Sequence, residues 1–286
     1  MITISNDYLT ATFREQGAEL KSLRMEGKEY IWPGDPAIWK SSCPVLFPVC
    51  GNLKDNTYTY QGKKYTMSRH GFARERVFRV ESQSRGQVVF LLESDEETKA
   101  MYPFDFTLRL RYTLEETSLK IEYLVENKGQ NTMYFSIGSH EGYFTPEGVE
   151  DYDVVFPQKE TLDSYVLCGP VMSDVQVPVI RDQNYLPIYE KYFMLDTLVF
   201  KTLKSRSATL RNRKTGRAIR VDFPDCPYFM IWHKPGAPFL CLEPWDGVAD
   251  SLHGGCAIEE KEGIRTLPTG EVYHNTHTIT ILDAGV

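Results

Sequence analysis

Phe106-Thr107-Leu108-Arg109-Leu110-Arg111-Tyr112-Thr113-Leu114 places an apolar residue at every second position. Successive side chains of a strand point to opposite faces, so Phe106, Leu108, Leu110, Tyr112 and Leu114 share one face. Thr107, Arg109, Arg111 and Thr113 share the other. A period of two with one apolar face is a half-buried strand, not a helix. Leu119–Glu126 repeats the scheme, with Leu119, Ile121, Tyr123 and Val125 set against Lys120, Glu122 and Glu126. The polar run Glu115-Glu116-Thr117-Ser118 between them suits a hairpin turn.

The same grammar extends in both directions. Val77–Glu81 and Val88–Leu92 flank Ser84-Arg85-Gly86; Ala208–Arg211 and Ile219–Phe223 flank Lys214-Thr215-Gly216. Tyr228–Trp232 and Phe239–Glu243 flank a loop of proline and glycine, residues that supply the dihedrals of a reversal. The opening MITISNDYLTATF reads as a first strand, with neither the basic start nor the apolar stretch of a signal peptide. Helix is expected only near Glu96–Tyr102 and Gly247–Leu252. With no repeat, low-complexity tract or linker, residues 1–286 read as one all-β domain, a large antiparallel β-sandwich with few short helices.

Composition narrows the partners. Thirty-nine acidic against 32 basic side chains give a net charge of -7, whereas nucleic-acid binding normally needs a basic face. No apolar run approaches the ~18 residues of a membrane span. Six cysteines without C-x-x-C spacing are expected to be reduced thiols, in keeping with the cytoplasm. The chain is expected to act as a monomer or weak homodimer, on a small molecule, without nucleic acid or membrane.

Polar groups set in apolar or glycine-rich contexts are where chemistry is to be sought. Ser68-Arg69-His70-Gly71-Phe72-Ala73-Arg74 and Ile137-Gly138-Ser139-His140-Glu141-Gly142-Tyr143-Phe144 each place a histidine beside glycine. Phe239-Leu240-Cys241-Leu242-Glu243-Pro244-Trp245 ends an apolar strand on a carboxylate next to a tryptophan. Each histidine alone also reads as a hydrogen-bonded turn residue. Glu243 is harder to dismiss, because an ionised carboxylate among Phe239, Leu240, Leu242 and Trp245 is costly to bury without a partner. A carboxylate beside an indole suits a sugar, whose apolar face stacks on aromatic rings and whose hydroxyls need fixed polar partners. His274-x-x-His277 has a metal-like look, but an odd separation in a strand puts the two rings on opposite faces. His233 and His253 fall in loops and receive no role.

The ordered set Pro44-Val45-Leu46-Phe47-Pro48, His70-Gly71-Phe72, Gly138-Ser139-His140-x-x-Tyr143-Phe144, Leu242-Glu243-Pro244-Trp245 and Leu267-Pro268-Thr269-Gly270-Glu271 resembles the aldose 1-epimerase (galactose mutarotase-like) family. It is most similar to the shorter bacterial branch carrying H-G-F-A-R. The resemblance implies the galactose mutarotase-like supersandwich and a cofactor-independent, metal-free isomerase that exchanges the α and β anomers of a free hexose. It implies His140 as the acid at the ring oxygen, Glu243 as the base at the C1 hydroxyl and His70 as the histidine supporting the ring oxygen. It implies substrate contacts from Arg74 and Asp196, and Trp245 adjoins them. Two positions depart from the family. Asn52 stands where an arginine or another long polar residue is usual, and the sugar contact expected there is either lost or supplied by Asn52 itself or by Lys54. Glu141 stands where proline is common, and a carboxylate there is expected to raise the pKa of His140 or alter substrate choice.

The implied chemistry fits the residue types. Anomerisation takes a proton from the C1 hydroxyl and delivers one to the ring oxygen, and both transfers reverse on reclosure. A carboxylate and an imidazole can share protons reversibly near neutrality. Three alternatives stay open from the sequence. A glycosidase would pair Glu243 with Asp246. A carbohydrate-binding protein would use the same pocket without turnover. A hexose-6-phosphate epimerase would use Arg69, Arg74, Arg76, Lys54 and Lys64.

Overall fold

The computed structural model describes residues 1–282, and strands dominate it. A nine-stranded antiparallel sheet runs in the order Val171–Pro187, Tyr152–Cys168, Ser207–Asn212, Ala218–Asp222, Val272–Ile281, Ser118–Asn127, Phe106–Glu115, Gln87–Glu93, Arg79–Gln83. A second sheet is built on Leu198–Phe200, Tyr228–Trp232, Phe239–Trp245, Gly138–Ser139 and Val45–Leu46. Glu141–Phe144 also pairs with Phe239–Trp245. A third sheet holds the N-terminal strands Ile2–Ser5, Leu9–Arg14, Glu19–Met25 and Lys28–Glu29.

The alternation in the sequence explains how these sheets meet. Leu110 and Ile121 from the large sheet and Leu240 and Leu242 from the second lie fully buried in one shared core. Phe13 packs on Phe90 and Tyr112 with ring centroids 5.8 and 4.5 Å apart, seating the N-terminal sheet on the large one. Arg109 and Arg111 face outward and meet Glu81, Glu126 and Glu122 across the strands. The large sheet is thus apolar within and charged without.

Most hairpins stand where the alternation puts them. Phe106 pairs with Asn127 and Glu115 with Ser118, leaving Glu116-Thr117 as a two-residue turn, with Glu116 at φ 50°. A short helix covers Glu96–Met101, opened by an Asp95 side chain that accepts from the Thr98 N–H. The second expected helix does not exist: no helix is described over Gly247–Leu252, which is an irregular segment tied down by its backbone. The Asp250 N–H donates to Asn52 O, and Leu252 N–H donates to Met172 O. The opening stretch forms two strands in place of one, broken at Asn6, whose side chain accepts from the Tyr8 and Leu9 N–H groups.

Phe239–Trp245 is buried at every position. It lies inside its sheet and is covered on both faces, which is why it reads as a continuous apolar run.

Candidate active site

Two neighbouring strands and one loop bring the candidate residues together. On Phe239–Trp245, Cys241 and Glu243 are two apart and so share a face. Glu141 and Gly142 pair with Leu242 and Cys241, while Gly138 pairs with Trp245, so His140 sits at the break between the two short strands, level with Glu243. His140 Nδ1 lies 3.4 Å from Glu243 Oε1, and both residues are buried. Gly138 permits this arrangement, since a Cβ there would stand 2.7 Å from the Trp245 ring.

His70 arrives on a tight loop. Its backbone is at φ 66°, in the left-handed region that residues bearing a Cβ rarely adopt. Gly71 follows at φ 71°, and a Cβ on it would stand 2.2 Å from Phe47 O. Only glycine lets this loop press against Phe47-Pro48. The ring of His70 ends edge-on to His140, centroids 5.6 Å apart, and edge-on to Trp245 at 5.3 Å.

Two donors bracket the His70 ring: the Gly51 N–H donates to Nδ1 at 3.1 Å and Arg69 Nε–H donates to Nε2 at 3.0 Å. A neutral imidazole accepts at one nitrogen only, so its single N–H faces one of these two donors.

Electrostatics separate the pair. Burial, reinforced by the charges of Arg69 and Arg74, pushes His140 down to about 3. Burial, then the positive charges of His140, Arg69 and Arg74, also holds His70 well below the ordinary imidazole range. Burial pushes Glu243 well above the usual carboxylate range; Arg69 opposes this, while Glu141 and Asp196 add to it. Of the two, the carboxyl is therefore the group that holds a proton to the higher pH.

A cavity of about 260 Å³ opens beside this cluster, lined among others by Asn52, Arg69, Asp196, Met230 and Trp245. His70, His140 and Glu243 lie behind its wall, joined to it through Arg69 and Trp245. Asp196 reaches the cavity from a backbone at φ 81°. The Trp245 indole is fixed by donating to Ser139 O at 2.9 Å.

Three expectations need correction. Lys54 does not line the cavity: it is exposed, and its Nζ donates to Leu252 O at 3.0 Å, so Asn52 alone faces the space. Arg74 lines a separate hollow of about 270 Å³ with Arg14, Trp39 and Lys40, and donates to Arg69 O, bracing the arginine that does face the cavity. Glu141 does not raise the pKa of His140. Strand alternation turns it to the other face, where Oε1 meets His277 Nε2 at 3.0 Å, and His140 moves down.

The alternatives are narrowed by the same coordinates. Asp246 is held by Arg265, Tyr273 and Asn275, so the two carboxylates of a glycosidase do not face one another across the cavity. Arg76 is taken by Asp95 and Glu97, and Lys64 is exposed away from the cavity, leaving Arg69 as the cation on its wall. His274 is exposed and His277 buried, on opposite faces as the odd spacing requires.

Some neighbours of the site escaped sequence reasoning. Trp39 packs on His140 at 5.2 Å and Trp232 at 5.5 Å, and nothing local in the sequence ties either to it. Cys241 places its sulfur with His140 and Glu243, all three ligand atoms within 4.8 Å of one another. Its two-residue separation from Glu243 was the available signal.

Comparisons with known proteins bear on the family and the fold. The family model described as aldose 1-epimerase matches residues 1–280. Protein LacX (plasmid) of Lactococcus lactis subsp. lactis is 33% identical over 297 residues, covering 99% of both chains. A galactose mutarotase related enzyme from Lactobacillus acidophilus superposes with a TM-score of 0.94 at 31% identity, over 99% of this chain and 97% of that one. A galactose mutarotase-like protein from Lactobacillus casei gives 0.92 at 30% identity, over 99% and 100%.

Proposed function

Because the chain belongs to the aldose 1-epimerase family, we propose that it catalyses the exchange of α and β anomers of a free hexose by acid–base ring opening and reclosure. The observation that carries this reading is the buried contact of His140 Nδ1 with Glu243 Oε1, beside a cavity walled by Arg69, Asp196 and Trp245.

In this mechanism Glu243 takes the proton of the C1 hydroxyl while His140 delivers one to the ring oxygen. The aldehyde forms, the C1–C2 bond turns, and the transfers run backwards on the other face. Moving a proton from the Glu243 carboxyl to His140 creates the base and the acid together, with no net charge added to the buried site. Arg69 stabilises the Glu243 carboxylate that this shift creates and opposes the charge it places on His140. Arg69, set beside His70 on the cavity wall, donates to the oxygen that gains charge as the ring opens. Asp196 and Asn52 accept and donate to hydroxyls, and Trp245 offers a flat apolar wall. Six unpaired thiols support work in a reducing compartment such as the cytoplasm.

The test is anomer exchange of glucose and galactose, followed by polarimetry or NMR exchange. His140→Asn and Glu243→Gln are each expected to lower kcat by ~10²–10⁴-fold. If the protein binds a hexose and leaves exchange at the spontaneous rate, it is a carbohydrate-binding protein and the enzyme reading is lost. A second reading rests on Arg69: a cation on the cavity wall suits a hexose 6-phosphate. A strong preference for glucose 6-phosphate over glucose in the same assay would select it.

A further inference from the structure

We propose that His140, Cys241 and Glu243 form a binding site for a thiophilic divalent cation such as Zn²⁺, Co²⁺ or Cd²⁺. Cys241 and Glu243 project from one face of one strand, two residues apart, and His140 meets them from the adjoining chain. The imidazole nitrogen, the sulfur and a carboxylate oxygen all lie within 4.8 Å of one another. His140 Nδ1 and Glu243 Oε1 are 3.4 Å apart. A tetrahedral ion with bonds of ~2.0–2.3 Å spaces its ligands about 3.3–3.8 Å apart, so closure needs a movement of about 1 Å or less.

A second observation points the same way. His140 is 8% exposed, and its Nδ1 is a buried nitrogen without a hydrogen-bond partner, directed at Glu243. Buried polar atoms are nearly always satisfied, and a cation between the imidazole and the carboxylate supplies what is missing. The donor set selects the ion. One nitrogen, one sulfur and one oxygen suit borderline-soft metals, whereas Mg²⁺ and Ca²⁺ require shells of oxygen. Three protein ligands leave a fourth tetrahedral position for water. The thiol binds as thiolate and the Glu243 carboxyl as carboxylate, both protons passing to solvent, and no oxidation is involved.

The consequence, which rests on the proposed function, is reversible inhibition. An ion held by the lone pairs of His140 and Glu243 leaves neither free to move a proton, so metal and hexose compete for the same two side chains.

The experiment titrates Co²⁺ into chelator-washed protein and follows thiolate-to-cobalt charge-transfer absorption. One equivalent with a sulfur band is expected, and the band is expected to vanish in Cys241→Ser. In parallel, Zn²⁺ is expected to suppress anomer exchange in the parent and EDTA to restore it, with Cys241→Ser at least about tenfold less sensitive. A missing band, or one that survives in Cys241→Ser, overturns the proposal. Exposed Cys168 and Cys256 are controlled with Cys168→Ser/Cys256→Ser, which should keep the band. If Cys241→Ser does not fold, ¹¹³Cd NMR of that double variant reports whether one sulfur ligates the ion. A Cys241-dependent band in a protein without anomer exchange upholds the metal site and removes the enzyme reading; exchange without the band does the reverse.

Discussion

Glu243 is placed where its chemistry conflicts with stability. Burial raises its pKa, so the folded protein holds this proton to a higher pH than the unfolded chain, where a glutamate titrates near ~4.3. Stability contributed by the protonated carboxyl is present below that value and falls as pH rises through the folded one. Glu243→Gln is therefore expected to melt higher than the parent at pH 7 while losing activity, and the gain should disappear below about pH 4. His140 has the opposite sign. Its unfolded pKa is ~6.5 and its folded value about 3, so the parent loses stability as pH falls below ~6.5. By pH 5 this amounts to about 2 kcal/mol, which His140→Asn should not lose; chemical denaturation of both proteins at pH 7 and pH 5, in chelator, measures the difference. Equal losses in the two would mean that His140 is already charged in the folded state.

Glu141–Phe144 shows how an element fixes a site side chain from behind. Glu141 is buried and its carboxylate meets His277 of Val272–Ile281, so this short strand is tied to the large sheet one residue after His140. Glu141→Ala leaves His277 unpartnered and opens a void. It is expected to cost on the order of 3 kcal/mol, read as a lower denaturation midpoint, with a fall in kcat as His140 loosens. An unchanged midpoint would mean that the pair contributes nothing. The sequence announced the histidine but not the direction of its neighbour, because strand phase is fixed only once the partner strand is known. The same limit runs through the fold. Hairpins with a clean period of two, such as Phe106–Glu115 with Ser118–Asn127, were legible to within a residue or two. The long pair Tyr152–Cys168 and Val171–Pro187 was not, since much of the second strand is exposed on both faces and carries no alternation. His70, His140 and Glu243 could be picked out by context. Trp39 and Trp232 could not, because they join the site through pairings distant in sequence.

The outer strands of the large sheet bear on how the molecule behaves in solution. An edge strand presents unpaired backbone groups and invites a second copy unless the edge is blunted. Val171–Pro187 is blunted by Pro178, which lacks an N–H, by Asp174, Arg181 and Asp182, and by irregular register against Tyr152–Cys168. Arg79–Gln83, at the opposite edge, is short, carries Arg79 and Glu81 and shifts register between Val80 and Ser82. Exposed apolar residues do occur, Val175 and Tyr185 among them, but charged and polar neighbours separate them. With both edges defended, we propose that the chain works as a single sandwich domain and as a monomer, the whole site being supplied by one copy. Sedimentation equilibrium is expected to return 32.9 kDa, and the melting temperature should not depend on protein concentration. A mass of twice that value, with melting that rises on concentration, would show that one of these edges or the exposed Val175 face is an interface, and the monomer reading would be withdrawn.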